Sequence, residues 1–287
     1  MKIYQYDAFS ERPNRGNPAG VVLDAGHLTE TEMQNIAHIV GFNETAFIIP
    51  SKKADIQIRY FTPGHEMDLC GHGTVASLIA LYEQKGILDI NSVETKAGII
   101  NARINQQGSN VSVKMQQIPA KFIQFEDSAD ELAYVLEIEK NEIEDKWPIV
   151  YGSTGIWTLI VPIKKLSSIN KMSPKTEEFP KVLSQIPRSS IHPFCLETYN
   201  QNVHMHGRHF SSPFSGTIED PVTGTASGVM GAYHINNIEK VNTNALFIEQ
   251  GQEIGRDGFV KVNVVKTNDI IEVEIEGKGV FVKEITV

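Results

Sequence analysis

Two stretches of this chain are too uniformly apolar to lie on any surface, and whatever fold the chain adopts must bury both. Leu78-Ile79-Ala80-Leu81-Tyr82 places apolar side chains on every face of a helix, and Gly228-Val229-Met230-Gly231-Ala232-Tyr233 does the same with smaller residues. A helix that is apolar all round belongs in a core. Yet each run is entered through a polar, glycine-rich turn. The first is Asp68-Leu69-Cys70-Gly71-His72-Gly73-Thr74, and the second is Glu219-Asp220-Pro221-Val222-Thr223-Gly224-Thr225-Ala226-Ser227. A helix start carries unpaired N–H groups and the positive end of the helix dipole. Placed in an apolar surround and dressed with such side chains, it suits a small carboxylate.

The two stretches also share their approaches. Arg59-Tyr60-Phe61-Thr62-Pro63 precedes the first, and Arg208-His209-Phe210-Ser211-Ser212-Pro213 precedes the second. Paired features in the same order at similar offsets point to a duplicated half, with Cys70-Gly71-His72 set against Thr223-Gly224-Thr225. The alternative is chance recurrence of Gly, Ser and Thr in loops.

Around these two helices the pattern is mostly of strands. Alternating or apolar runs at Ile3 to Phe9, Ala19 to Leu23, Asp55 to Phe61, Ser92 to Lys96, Ile99 to Ile104 and Val111 to Met115 fill the first part. Thr29 and Glu32 form a capping box for a helix that Gly41 stops, and Ser128 with Glu131 forms another for a helix to about Ile138. The second part is expected to hold a strand at Trp157 to Pro162, an amphipathic helix at Glu177 to Ile186 and a strand at His192 to Tyr199 with Cys195 inside it. Three more strands follow, at Phe259 to Val265, Ile270 to Glu276 and Gly279 to Ile285. Strands must therefore surround the two buried helices. The reading is α+β, with one domain over 1–118 and a pseudo-repeat over 119–287 whose terminal strand is free to return to the first.

Composition narrows the partners. Of 287 residues 41% are apolar and 21% charged, as in a globular protein, and a net charge of −9 with no Lys/Arg block argues against nucleic acid. No run reaches the roughly 20 apolar residues that span a bilayer, and the first residues lack a signal-peptide pattern. The two cysteines, Cys70 and Cys195, are not spaced as a metal pair, and free thiols fit a reducing, cytoplasmic setting. His204 and His206 would share a strand face, but no further ligand at zinc spacing completes a site, so no metal is expected. Cys195 reads as a core residue. Glu44 opens an apolar strand, where a carboxylate is either wet or paired for a purpose; the residues alone favour the wet reading.

Four motifs change that balance. GNPAGVV (Gly16 to Val22), FNETAF (Phe42 to Phe47), the segment from Glu66 to Thr74 ending in CGHGT, and EDPVTGTAS (Glu219 to Ser227) resemble, in order and over nearly the whole chain, the PhzF family of phenazine-biosynthesis-like isomerases. That family sits in the diaminopimelate epimerase-like superfamily. The resemblance implies two similar domains, each a β-barrel-like sheet wrapped around a central apolar helix, with the active site in the cleft between them. It implies that Glu44 is the catalytic acid/base and that His72 and Asp220 hold polar groups of the substrate. Gly73 and Thr225 match positions whose backbone N–H groups would bind a carboxylate, beside Cys70, Gly71, Thr223 and Gly224.

The superfamily's amino-acid epimerases use two thiols, one before each glycine turn. This chain keeps Cys70 but has Thr223 at the second position, and a hydroxyl is far too weak a base for that task. The expected activity is therefore a cofactor-free isomerisation of a small carboxylate-bearing metabolite, similar to that of trans-2,3-dihydro-3-hydroxyanthranilate isomerase, with a proton moved between carbons by Glu44. An epimerase pairing Cys70 with a carboxylate, and a non-catalytic carboxylate-binding protein, remain the alternatives. Relatives of this type are commonly homodimers, so a homodimer is expected.

Overall fold

A computed structural model describes all residues from Met1 to Val287. The chain divides into two compact units, Met1–Gln116 with Glu276–Val287, and Gln117–Ile275.

In the first unit, β1 (Lys2–Ala8) runs antiparallel to β2 (Asn17–Val22), which lies parallel to β3 (Glu44–Ile49). β3 is antiparallel to β4 (Ile56–Phe61), and β4 carries the two-residue β5 (Glu66–Met67). β4 also pairs parallel with β6 (Ser92–Thr95), from which the ladder continues through β7 (Gly98–Gln107) to β8 (Asn110–Gln116). The chain's last strand, Gly279–Thr286, pairs with β1 along its whole length.

Helix α1 (Glu30–Val40) starts at the expected capping box: Glu32 N–H donates to the Thr29 hydroxyl and Thr29 N–H to the Glu32 carboxylate. It stops at Gly41, whose φ of 72° is left-handed and costs a glycine little. Helix α2 (Gly71–Lys85) holds the first all-apolar run, and every residue from His72 to Leu81 is buried. It packs against β1, β2, β3, β7, β8 and the last strand, so strands do cover it on all sides. Burying Val75, Leu78, Ile79 and Leu81 contributes about 1.5–3 kcal/mol each.

The second unit contains α3 (Ala129–Leu136), capped at Ser128, and a sheet in which β9 (Lys121–Gln124), β10 (Val150–Ser153) and β11 (Trp157–Pro162) are antiparallel neighbours. β12 (Ser190–Cys195) lies parallel to β11, and β13 (Met205–Gly207) and β14 (His209–Phe210) run antiparallel to β12. β15 (Glu219–Asp220) pairs with β14, while β16 (Thr243–Gln250) joins β13 to β17 (Gly258–Thr267). A further strand, Ile270–Gly277, leads out of the unit.

Helix α4 (Gly224–Tyr233) is the second apolar run and packs against β10, β11 and β17. Its glycines set how close it lies. A Cβ on Gly231 would sit 2.6 Å from Val262 Cγ1, and one on Gly152 of β10 would sit 2.2 Å from Val229 Cγ1.

Two expected elements are shorter than the pattern suggested. The helix at Glu177 to Ile186 is a 3₁₀ turn (Thr176–Glu178) and a single α turn (Phe179–Val182): Pro180 is tolerated only at a helix start, and Leu183 already leaves helical geometry. The strand expected to run to Tyr199 ends at Cys195, where the thiol donates to Glu197 O at 3.0 Å as the chain bends. No helix is long and apolar enough to cross a membrane, which says nothing of strands.

Candidate active site

In the first unit three expected site residues meet. Glu44 is the first residue of β3, Cys70 is the N-cap of α2, and His72 is its second residue. His72 Nε2 lies 3.0 Å from Glu44 Oε2, and Cys70 Sγ lies 3.5 Å from His72 Nδ1 and 3.7 Å from Nε2. All three are largely shielded, with the Glu44 side chain 15% exposed. Glu44 Oε2 is buried yet accepts no well-directed hydrogen bond, so its contact with the imidazole is an ion pair by proximity.

The helix start is locked from below. Gly73 N–H donates to Cys70 Sγ at 3.3 Å, and Thr74 Oγ1 donates to Cys70 O at 2.7 Å while touching the buried Tyr60 hydroxyl at 2.6 Å. Gly73 leaves no room for a side chain, since a Cβ would meet Cys70 Sγ at 3.0 Å and the Tyr60 ring at 3.2 Å. Its N–H, the expected carboxylate donor, is thus already turned to the thiol.

Burial raises the Cys70 thiol above its ordinary range; the neighbouring His72 pulls it down and Glu44 pushes it further up. Burial alone would lower His72, but Cys70 and Glu44 outweigh it and hold the imidazole well above its ordinary value.

The second unit holds the other expected residues. Asp220 ends β15, Thr223 is the residue before α4, and Gly224 and Thr225 open that helix. The Thr223 hydroxyl donates to the Asp220 carboxylate instead of capping the helix. Gln250, at the end of β16, ties the turn: its Nε2 donates to Asp220 O at 2.7 Å, and its Oε1 accepts from Thr223 N–H at 3.2 Å. Thr154 Oγ1 donates to Thr225 O at 3.0 Å.

The histidines of the 204–209 stretch do not converge on one point. His206 is fully buried between two carboxylates on opposite ring nitrogens, Nδ1 to Glu249 Oε1 at 3.4 Å and Nε2 to Glu253 Oε1 at 3.0 Å. His204 Nδ1 accepts from Phe247 N–H at 3.0 Å. His209 Nδ1 lies 3.1 Å from His192 Nδ1, and burial lowers both rings, His209 to about 4.

Comparison with known proteins places these motifs. The family model described as Phenazine biosynthesis-like protein, PhzC-PhzF, matches residues 6–285. The chain belongs to the PhzC-PhzF family. Among relatives of this PhzC-PhzF protein, the uncharacterized isomerase YfhB of Bacillus subtilis (strain 168) is 48% identical over 285 residues, covering 98% of this chain and 96% of its own length. A phenazine biosynthesis protein of the PhzF family from Bacillus anthracis superposes with a TM-score of 0.96 at 53% identity, over 100% of this chain and 98% of its own. A hydroxyproline epimerase from Agrobacterium vitis shares the fold at a TM-score of 0.62 and 12% identity, over 100% of this chain and 90% of its own. The α+β architecture is therefore the diaminopimelate epimerase-like fold, and the chain is an enzyme of an isomerase family.

The shared approaches to the two helix starts also carry ion pairs that the motifs did not announce. Arg59 Nε donates to Glu66 Oε1 at 2.6 Å, and Arg208 grips Glu219 through Nε at 2.9 Å and Nη2 at 2.7 Å. Each guanidinium also stacks on the phenylalanine two residues later, Phe61 or Phe210. Both glutamates stand four residues before the residue that precedes the buried helix, Cys70 or Thr223. A repeated Arg–Glu clamp thus fixes each two-residue strand leading into a helix start. Its sequence signal, an Arg-x-Phe followed by a Glu at a fixed distance from the glycine turn, was available. Gln250 had no such signal, since its partners lie 27 and 30 residues away.

Proposed function

We propose that this protein is a cofactor-independent isomerase of a small carboxylate-bearing metabolite, in which Glu44 takes a proton from one carbon and returns it to another. The single observation that carries the reading is the Glu44 carboxylate, shielded at the head of β3 and set 3.0 Å from the His72 imidazole. Such a pair has the shielding and the charged partner that poise a carboxylate for general acid–base work. His72 holds the carboxylate and a polar group of the substrate, while Asp220, anchored by Thr223 and Gln250, holds another. The proposed carboxylate donors are the backbone N–H of Gly71 in the first unit and, in the second, those of Gly224 and Thr225; the Gly73 N–H is held by the Cys70 thiol. Resemblance points to trans-2,3-dihydro-3-hydroxyanthranilate as the first compound to assay.

The Cys70 epimerase is the second reading, favoured by the thiol's position 3.5 Å from His72. Against it stand a thiol raised by burial and committed to the Gly73 N–H, and a second helix start whose Thr223 is bound to Asp220. The test follows exchange of carbon-bound protons in D₂O by NMR over a panel of small unsaturated carboxylates. Glu44→Gln is expected to lower turnover by about 10²–10⁴-fold, whereas Cys70→Ser, which keeps a good N-cap, stays within about tenfold of wild type. The reverse ranking would favour the thiol mechanism.

A further inference from the structure

Glu44, Cys70 and His72 bring a carboxylate oxygen, a thiol sulfur and an imidazole nitrogen within 4.8 Å of one another. Such a set is more than acid/base machinery. With zinc bonds of about 2.3 Å to sulfur and about 2.0–2.1 Å to nitrogen or oxygen, tetrahedral geometry separates N from S by about 3.6 Å and N from O by about 3.4 Å. Here His72 Nε2 lies 3.7 Å from Cys70 Sγ and 3.0 Å from Glu44 Oε2. Both spacings fall within a few tenths of an ångström of the tetrahedral values. A second observation points into the same space: Glu44 Oε2 is buried without a directed hydrogen bond, leaving an electron pair uncommitted there.

We propose that Glu44, Cys70 and His72 form a binding site for a thiophilic divalent cation of the Zn²⁺ type, with the fourth coordination position open. Thiolate and imidazole donors suit zinc, whereas magnesium and calcium require oxygen shells. On binding, the Cys70 S–H bond and the His72 Nε2–H bond break, both protons leave to solvent, and the sulfur and the ring nitrogen form the metal bonds; no electron is transferred. The site is distinct from the 204–209 histidines, whose ring nitrogens face separate partners. One consequence rests on the proposed acid/base role: a metal on Glu44 removes the base, so zinc inhibits the isomerase and chelation restores it.

The binding claim is tested without any substrate, which separates its failure from failure of the isomerase reading. Full-length protein, reduced and stripped with a chelator, is titrated with Co²⁺ as the probe and then displaced with Zn²⁺. The expected result is a thiolate-to-cobalt charge-transfer band in the near ultraviolet that saturates at one equivalent, with the intense visible bands of a tetrahedral ion. The band should vanish in Cys70→Ser and persist in Cys195→Ser and His204→Ala. Glu44→Gln should raise the dissociation constant at least about tenfold, because even partners that only orient a ligand are worth about 10–100-fold. Absence of the band in wild type, or its survival in Cys70→Ser, would overturn the site. Should Cys70→Ser lose its circular dichroism signature, Glu44→Gln decides, and an unchanged affinity there would overturn it equally.

Discussion

At the scale of single residues, the buried histidines give the protein a pH dependence with two limbs. Burial alone would lower His206, but the flanking Glu249 and Glu253 raise it above its ordinary value. A group raised on folding contributes stability in full below its unfolded pKa of about 6.5 and loses it as pH climbs through the folded value. His192 and His209 are lowered by burial, so their contribution is present above about pH 6.5 and is lost as pH falls, toward about 4 for His209. Stability to thermal unfolding should thus fall on both the alkaline and the acid side. NMR of the ring nitrogens should find His206 doubly protonated at neutral pH and His209 neutral. His209→Gln should flatten the acid limb and leave the alkaline one. A neutral His206 at pH 7 would contradict the buried ion triad.

At the scale of elements, the two central helices are held in different ways. α2 is large and branched and fills its space with Leu78, Ile79 and Leu81, while α4 approaches its sheet closely because it is small. Gly231→Val drives a branched side chain into Val262, and the expected loss is about 1–3 kcal/mol by chemical denaturation. No loss would mean that α4 is free to shift. This difference was half legible in the sequence. All-round apolarity identified both helices, and Thr29 and Gly41 announced the ends of α1 because caps are local. What was not legible depended on distance along the chain. Glu249 and Glu253 claim His206 from more than forty residues away. The apolar period over Glu177 to Ile186 predicts a longer helix than the single turn at Phe179–Val182, because periodicity does not register the proline within it.

For the whole molecule, the candidate site was legible as far as motifs reach. Glu44, Cys70 and His72 are joined in one cluster, although the residues by themselves had favoured a solvent-facing Glu44; the family motif carried information that local pattern lacked. A homodimer in light scattering at micromolar concentration is the expected state, and a strict monomer would contradict it. The central claim is that one carboxylate moves the proton, and its most direct test follows that proton. A substrate deuterated at the donor carbon is converted in ordinary water under single-turnover conditions, and the product is analysed for label. A lone shielded base works on one face and sets down part of what it lifted. Part of the deuterium should therefore reappear in the product from wild type and Cys70→Ser, with no conversion by Glu44→Gln. Complete washout together with an inactive Cys70→Ser would contradict the account.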